Sequence, residues 1–240
     1  MKQQLLIAFL FCVANQSFAQ QKQTNQLMDI AATAGSSRGA VALSYVYNWQ
    51  LGKKQKWEFG LGARFTSAFG TKQDFITAPA RLSRTSTIPF ITVLSGQQEK
   101  NWDTLTVQRP LVNSLNITAN FGYQFNSRWN AGFNIDLIGL SFGRTSPAIL
   151  TSNGSTTTEP AAKPSSFNLL LTGDLDHGSL NSEFFIGYKL NERWSIRAVY
   201  QFIFTEYKTT TTKQIAPDGT EVTRFRMKAN NLGLAVSYHF

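Results

Sequence analysis

The sequence predicts an all-β fold, and three observations predict it. Apolar and polar residues alternate along several segments of the chain, as expected of strands with one apolar face. Aromatic residues make up 13% of the 240 residues and recur at the same two-residue spacing. The C-terminal segment ends on an aromatic residue and keeps the alternation, with large apolar side chains at Leu232, Leu234, Val236, Tyr238 and Phe240.

The alternation predicts eight strands, which in chain order span residues 27–35, 39–50, 56–69, 112–126, 129–143, 180–191, 193–207 and 223–240. The pattern is clearest in 112–126, where Leu115, Ile117 and Phe121 fall on one face and asparagines fall on the other. It is interrupted at Ile138–Leu140, where we predict a β-bulge.

The polar faces of these strands carry charged residues of both signs. An eight-stranded barrel has an interior just wide enough for side chains, so these residues would meet inside it. Buried charges are costly unless they pair, and three acids with three bases predict a polar plug. The predicted interior network consists of Glu58, Arg64, Asp136, Glu183, Lys189 and Arg197. A narrow ion or small-solute channel is the alternative.

A repeated aromatic motif marks the predicted turns. Residues 122–129 and 187–194 match nearly position by position, and in both a Tyr precedes a tight turn that a Trp follows. Amphipathic rings of this kind favour a membrane–water interface. The predicted aromatic girdle consists of Trp49, Trp57, Trp129, Trp194, Tyr123 and Tyr188.

The N-terminal residues predict export. A basic start, a short apolar run and Ser17-Phe18-Ala19 predict a cleaved signal peptide at residues 1–19. The run is too short to cross a bilayer as a helix. We expect residues 20–26 to form a short periplasmic segment and 27–240 to form one barrel domain. Residues 20–240 contain no cysteine, which excludes disulfides and thiolate metal sites there.

Connection lengths predict the orientation. The connections near 51–55, 127–128 and 192 are tight, whereas 70–111, 144–179 and 208–222 are long. Short periplasmic turns and long extracellular loops are typical of an antiparallel up-and-down transmembrane β-barrel. Ten strands are the alternative, if residues 75–79 and 88–94 extend the sheet. We expect the low-complexity runs 156–164 and 209–212 to be mobile.

These features together resemble small bacterial outer-membrane β-barrels of the OmpA/OmpX type. The segments Leu61–Thr66 and Phe133–Asp136 resemble uncharacterised barrel proteins of Bacteroidetes. The resemblance implies Sec-type export to the outer membrane of a Gram-negative bacterium. It also implies that Phe240, Tyr238, Val236, Leu234 and Leu232 form the signal read by the barrel-assembly machinery. It does not specify an activity, because this scaffold carries many functions.

We predict a monomer with a structural or surface-interaction role and no catalysis or cofactor. The basic excess, a formal charge of +9, favours outer-membrane lipids and lipopolysaccharide as neighbours over nucleic acid. A lipid-modifying enzyme is a weaker alternative, based on His177, Ser179 and Glu183, which faintly resemble the His-x-Ser element of lipid A deacylases. Asp174 and Asp176 are candidate calcium ligands. A soluble lipocalin-like barrel would instead bury the apolar faces.

Overall fold

The computed structural model describes residues 24–89, 91–152, 154–171 and 173–240, with the side chains of residues 24, 25 and 93 left aside. The predicted signal peptide, residues 1–19, lies outside the described residues. The predicted periplasmic segment, residues 20–26, lies partly outside the described residues. Its last three residues belong to the first strand. Within the described part, no helix is long and apolar enough to cross a membrane.

The described residues form 15 strands, so the predicted totals of eight and ten are both too low. Eight long strands match the predicted segments to within three residues at each end. They are β1 (Thr24–Gly35), β2 (Arg38–Leu51), β3 (Trp57–Gly70), β6 (Leu111–Gln124), β7 (Trp129–Gly143), β11 (Leu180–Lys189), β12 (Trp194–Lys208) and β15 (Arg224–His239).

These eight strands pair in a closed cycle, which we call the main ring. Each is antiparallel to its neighbour in chain order, and β15 pairs with β1 through eight residue pairs. Because the cycle closes, none of the eight has an open edge along its paired length. The predicted antiparallel up-and-down arrangement is confirmed for these strands.

The predicted bulge lies one residue before the interrupted pattern. Ile117 pairs with Ile138, but Thr118 pairs with Asp136, so Leu137 is the additional residue in β7. An extra residue shifts the alternation by one position. This shift places Ile138, Leu140 and Phe142 on the exposed outer face, although the residues before the bulge alternate with the opposite parity.

Three of the four tight turns of the main ring lie at one end, which we call the turn end, whereas the two-residue β1–β2 turn lies at the opposite end. In the two repeated motifs an asparagine side chain organises the turn: Asn126 Oδ1 accepts from the Arg128 and Trp129 amides, and Asn191 Oδ1 accepts from the Arg193 and Trp194 amides. Such local bonds are the usual reason for Asn in turns. The β2–β3 turn instead uses Gly52, whose φ of +82° suits glycine. Phe240 lies at this end.

The opposite end, the loop end, carries a second ring of strands. Its new members are β4 (Lys72–Thr77), β5 (Thr104–Gln108), β8 (Ser146–Ser152) and β9 (Ser155–Pro164), which pair in the order β4-β5-β8-β9. Strand β4 also pairs with β15, and β9 pairs with β12. Since β12 and β15 pair with each other, the six strands close a cycle that extends two strands of the main ring.

The remaining elements are short. Strand β10 (Phe167–Leu169) pairs with β7, and β13 (Gln214–Ile215) pairs with β14 (Glu221–Val222). Single helical turns lie at Ala80–Ser83, Ile91–Leu94, Glu99–Asn101 and Gly173–Leu175. The long connections are therefore folded. Of the two segments considered as further strands, 75–79 lies partly in β4, whereas 88–94 contains a helical turn.

The second ring has an apolar interior. Phe75, Leu105, Val107, Tyr207 and Phe225 are each 0% exposed and pack in one cluster. Below it, Ala40, Ile203 and Ala229 form a smaller buried cluster inside the main ring. Apolar side chains therefore occupy much of the interior at the loop end, beside a small cavity that is also lined by Arg38, Gln73, Thr205 and Asn231.

The threonine run 209–212 binds one buried carboxylate. Glu159, on β9, accepts hydrogen bonds from the amides and hydroxyls of Thr210, Thr211 and Thr212 and from the Ala161 amide, with donor–acceptor distances of 2.7–3.1 Å. The expectation that residues 156–164 and 209–212 are mobile is wrong, since β9 and these hydrogen bonds order both segments. Burial alone would raise the pKa of the Glu159 carboxyl, but the bonds from Thr212, Thr211 and Thr210 hold it well below its ordinary value.

Glu159→Gln should release the threonine run, because a carboxamide replaces one acceptor oxygen with a donor facing other donors. We expect the Thr210–Thr212 amides to lose hydrogen-exchange protection in the refolded variant. Glu221→Gln is the matched control, since Glu221 is exposed and pairs only with Lys213 at 2.6 Å among its described contacts.

The same amides give a pH test. A carboxylate whose folded pKa is lowered stabilises the fold above its unfolded pKa of about 4.3, and this contribution is lost only as the pH falls through the lower, folded value. Protection factors for Thr210–Thr212 should therefore persist at pH 4. A loss of protection between pH 5 and pH 4 would contradict the assigned contact.

Candidate functional site

The interior of the main ring is centred on Arg64 of β3, which is 1% exposed. Its guanidinium donates to Asp136 Oδ1 at 2.6 and 2.9 Å, to Asn134 Oδ1 at 2.5 Å and to the Asn181 carbonyl at 2.6 Å. Glu183 Oε2 lies 3.3 Å away. One cation therefore contacts two carboxylates from β7 and β11, which links three strands across the interior.

Asp136 receives further bonds on its other oxygen. Oδ2 accepts from the Asn116 side chain at 2.6 Å and from the Asn181 amide at 2.9 Å. Glu183 accepts from the side chains of Asn181 and Asn134. Because the neighbouring asparagines supply donors, both fully buried carboxylates have partners besides Arg64.

A second ion pair lies nearer the turn end. Arg197 of β12 contacts the Asp29 carboxylate of β1, and the Ser237 hydroxyl donates to Asp29 at 2.6 Å. The Arg197 guanidinium also lies 4.4 Å from the centre of the Phe185 ring. This pair joins β12, β15 and β1 at the point where the main ring closes.

Glu58 and Lys189 are the two remaining residues of the predicted interior network. Glu58 is buried and accepts from Gln124 at 2.9 Å, whereas Lys189 lies half-buried at the turn end. The predicted balance of three acids and three bases is wrong, because Asp29 adds a fourth carboxylate. The buried ionisable groups described inside the main ring are four carboxylates and two guanidiniums.

A narrow cavity of about 40 Å³ occupies the interior between these groups and the turn end. Asp29, Glu58, Arg64 and Arg197 line it, together with Ser, Thr and Asn side chains from five of the main-ring strands. At its other end the Arg64 network and the two apolar clusters occupy the interior. The cavity is therefore a pocket that opens toward the turn end.

The outer face of the main ring is apolar and exposed. Ile30, Leu115, Ile186 and Leu234 are each more than half exposed, and they come from four strands spread around the ring. The other exposed large apolar residues of the same face include Met28, Val41, Leu43, Leu61, Phe65, Ile117, Phe121, Ile138, Leu140, Phe184, Ile196, Leu232 and Val236. A soluble protein rarely exposes an apolar surface of this extent.

The six predicted girdle residues all lie on this outer face near the turn end. Three contacts join neighbouring strands: Trp57 with Tyr123, Trp129 with Tyr188, and Trp194 with Tyr238, with ring centroids 4.7–5.0 Å apart. Trp49 stacks on Phe59 at 6.0 Å. The aromatic rings therefore form a band that follows the turn end.

The C-terminal residues of the predicted assembly signal also face outward, on β15. Leu232, Leu234 and Val236 are exposed, whereas Gly233, Ala235 and Ser237 between them face the interior. Phe240 packs against Tyr238 and Tyr45, and its amide donates to the Gln26 carbonyl at 3.0 Å. The C-terminal aromatic residue thus closes the seam between β15 and β1.

The structure does not bring His177, Ser179 and Glu183 into one hydrogen-bonded group. His177 faces Arg224 at 3.4 Å, the Ser179 hydroxyl accepts from the Glu206 amide, and Glu183 belongs to the Arg64 network. Asp174 contacts Arg84 and Lys228. Among the described residues, no group of three His, Cys, Asp or Glu side chains is arranged to hold a metal ion.

Sequence reasoning missed Asp29 and Glu206, and it placed Arg226 at the outer edge of the last strand without predicting its burial. Asp29 lies between Met28 and Ile30, so the alternation of β1 was a sufficient signal for its inward position. Glu206 and Arg226 have the outward parity of β12 and β15, yet they are 0% and 2% exposed because the segments 165–179 and 78–102 cover them. The alternation carries no signal for that coverage.

No family model matches this chain, and a search of the curated proteins found no match. The chain is similar to solved structures at low identity. Neisserial surface protein A is 10% identical over 92% of this chain and 100% of that chain, with a TM-score of 0.34. Ail, the attachment invasion locus protein of Yersinia pestis, solved with the heparin analogue sucrose octasulfate, is 9% identical with the same coverage and TM-score. A Pseudomonas aeruginosa FadL homologue is 10% identical over 84% of this chain and 68% of that chain, with a TM-score of 0.19.

Replacing Arg64 with Met should destabilise the folded protein by about 3–5 kcal/mol, because Asp136 and Glu183 would remain buried without their cation. The measurement is urea unfolding of the refolded protein, followed by the shift in gel migration. Glu58→Gln is the control and should cost less than about 1 kcal/mol, since Glu58 lies beside the open cavity and keeps an acceptor for Gln124. Equal losses in the two variants would contradict a central role for Arg64.

Proposed function

We propose that this chain is a transmembrane β-barrel of the outer membrane of a Gram-negative bacterium, with the eight strands of the main ring spanning the bilayer. The single observation that carries the proposal is the inversion of polarity. Ion pairs and asparagines occupy the interior, while large apolar side chains cover the outside. A soluble lipocalin-like barrel needs the opposite arrangement. A hydrocarbon environment is the one in which this outer face is stable.

Backbone hydrogen bonding supports the same proposal. Within a bilayer every backbone N–H and C=O must find a partner in the protein, which only helices and closed barrels achieve. The cyclic pairing of the main ring meets this requirement. Its strands have 10–16 residues, and about 9–11 tilted residues suffice to cross the hydrocarbon region.

The turn end then faces the periplasm and the loop end faces outward. The aromatic band supports an interface at the turn end, because Trp and Tyr rings are enriched at the headgroup level of such barrels. In this orientation Phe240 reaches the periplasmic side, where the barrel-assembly machinery would read the C-terminal strand. Sec-type export and the lipid and lipopolysaccharide neighbours belong to the same proposal.

For the role of the barrel we propose structural support or surface interaction, with a plugged interior and no catalysis. The Arg64 network and the apolar clusters around Ile203 and Phe225 support a closed interior. The second ring would present the connecting segments of the loop end on a rigid base. Binding functions usually reside in segments held in this way.

Bromine-quenching of tryptophan fluorescence tests the membrane assignment. In variants that each retain one tryptophan, Trp57, Trp129 and Trp194 should be quenched by lipids brominated on the acyl chain, most strongly near the headgroup. These residues are 62%, 46% and 45% exposed on the outer face. Trp102, half-buried at the loop end, is the matched control and should stay unquenched. Quenching no stronger for the three girdle residues than for Trp102 would overturn the proposal.

Conductance tests the plug separately. Refolded protein inserted into planar bilayers should give no stable single-channel steps, because the Arg64 network and the apolar clusters occupy the interior. Insertion is verified independently by the quenching assay on the same preparation. Reproducible steps of uniform size would contradict the plug and favour the narrow channel, while leaving the membrane assignment intact.

A further inference from the structure

A small cavity at the loop end is lined by unpaired hydrogen-bond donors. It lies against the outer side of β4 and β15, where the segment 78–102 covers them, and it measures about 60 Å³. Its wall includes Ser83, Trp102, Arg226 and Lys228. It is separate from the interior pocket of the main ring, with which it shares no lining residue.

Three of these wall residues have buried donor atoms without a partner. Ser83 Oγ, Trp102 Nε1, and Nε and Nη1 of Arg226 make no hydrogen bond within the described protein. Ser83 is 3% exposed and Arg226 is 2% exposed. Buried polar atoms are nearly always paired, so several unpaired donors around one cavity indicate an acceptor that occupies it.

The carboxylate and the threonine hydroxyl of the wall already have partners. Asp174 is the one carboxylate in the wall, and its oxygens contact Lys228 Nζ and Arg84 Nε. Arg226 Nη1 is 3.7 Å from Asp174 Oδ1, which is beyond hydrogen-bond distance. The Thr77 hydroxyl accepts from the Asp103 amide and donates to Gln214. The remaining side-chain acceptor in the wall is the carboxamide oxygen of the exposed Gln97. One neutral oxygen cannot satisfy four buried donor atoms, so most of them need an acceptor from outside the chain.

The local charge favours an anion. Arg84, Arg224, Arg226 and Lys228 form one connected group of ion pairs with Asp174 and Glu206. The buried Asp176 lies beside this group, so four cations face three carboxylates. Burial would raise the pKa of Asp174, but its bonds with Lys228 and Arg84 lower it overall. Burial and then Arg224 lower the pKa of His177 beside this group. Burial raises the pKa of Asp176 in the same group, so the positive excess rests on the number of charged side chains.

We propose that this cavity binds a small oxyanion, such as a phosphate group. Ser83 Oγ, Trp102 Nε1 and the Arg226 guanidinium would donate to its oxygens, as charge-assisted hydrogen bonds that are stronger than neutral ones. Lys228, whose side chain is 35% exposed, gives the anion a charged contact reachable from solvent. The binding site is independent of the structural role proposed above. The phosphate is either free in solution or part of a lipid headgroup.

The indole N–H of Trp102 reports directly on the site. In ¹⁵N-labelled protein refolded in uncharged detergent, sodium phosphate is titrated against sodium chloride of equal ionic strength. The Trp102 indole resonance should shift to saturation, while the indole resonances of Trp57 and Trp129 at the turn end stay in place. No saturable shift of Trp102, or an equal shift with chloride, would overturn the proposal and leave water as the occupant.

Ser83→Ala removes one donor and should weaken phosphate binding about tenfold, the effect of losing one hydrogen bond to a charged group. Ser86→Ala is the matched control, because Ser86 belongs to the same segment but is absent from the wall of the cavity. Unchanged affinity in Ser83→Ala, with a native-like spectrum, would overturn the assigned site. If the spectrum of Ser83→Ala lacks the dispersion of a folded protein, the wild-type titration alone decides for or against the proposal.

The source of the phosphate is identified by a second arm. Protein is placed in nanodiscs of phosphatidylglycerol or of phosphatidylcholine, first without phosphate and then with phosphate added. A Trp102 shift in the phosphatidylglycerol discs alone supports an anionic headgroup as ligand. A Trp102 shift that appears in both kinds of nanodisc only after phosphate is added supports a soluble anion. No shift with either lipid and none with phosphate would overturn the proposal.

Discussion

The pairing of β15 with β1 is the contact on which the rest of the molecule depends. It joins the two ends of the main ring through eight residue pairs and removes the two open edges that a sheet of eight strands would otherwise have. It also sets the register of the interior, because Asp29 lies directly opposite Ser237 and reaches Arg197 on the next strand. A shift of one residue would turn every interior polar group of β1 outward.

The interior of the ring is divided along its length. Toward the turn end it is polar and open, with ion pairs that link strands distant in the chain, such as β3 with β7 and β11 through Arg64. Toward the loop end it becomes apolar, first around Ile203 and then around Phe225. The charged groups are buried but paired, whereas the loop end is filled largely by apolar side chains. This division supports the closed interior proposed above.

The loop end is built on the same two strands that close the main ring. Because β12 and β15 continue beyond their neighbours, they provide edges on which β9 and β4 pair. Glu159 then holds the threonine run across the top of β9. Ordered loop segments cover Glu206 and Arg226, and the donor-lined cavity beside Arg226 results from this coverage. Loop order and the candidate anion site therefore have a common origin.

Most of the main ring was predictable because each of its strands has one exposed apolar face and one face directed into the interior. Alternation located all eight strands to within three residues, and the interruption near Ile138 predicted a bulge at what proved to be Leu137. The strands of the second ring were not predictable in this way. In β9 the Thr and Pro residues resemble a low-complexity loop, and at the top of β12 both Glu206 and Tyr207 are fully buried, so alternation no longer separates two faces.

The sequence by itself determined which residues face inward and outward along the eight long strands, since a two-residue period is a local property of an extended chain. Only the tertiary structure decided which inward charges meet, that Asp29, which the predicted network did not include, pairs with Arg197, and that the long connections fold into a second ring. These outcomes depend on strand register and on segments far apart in the chain covering one another. No local pattern encodes either one.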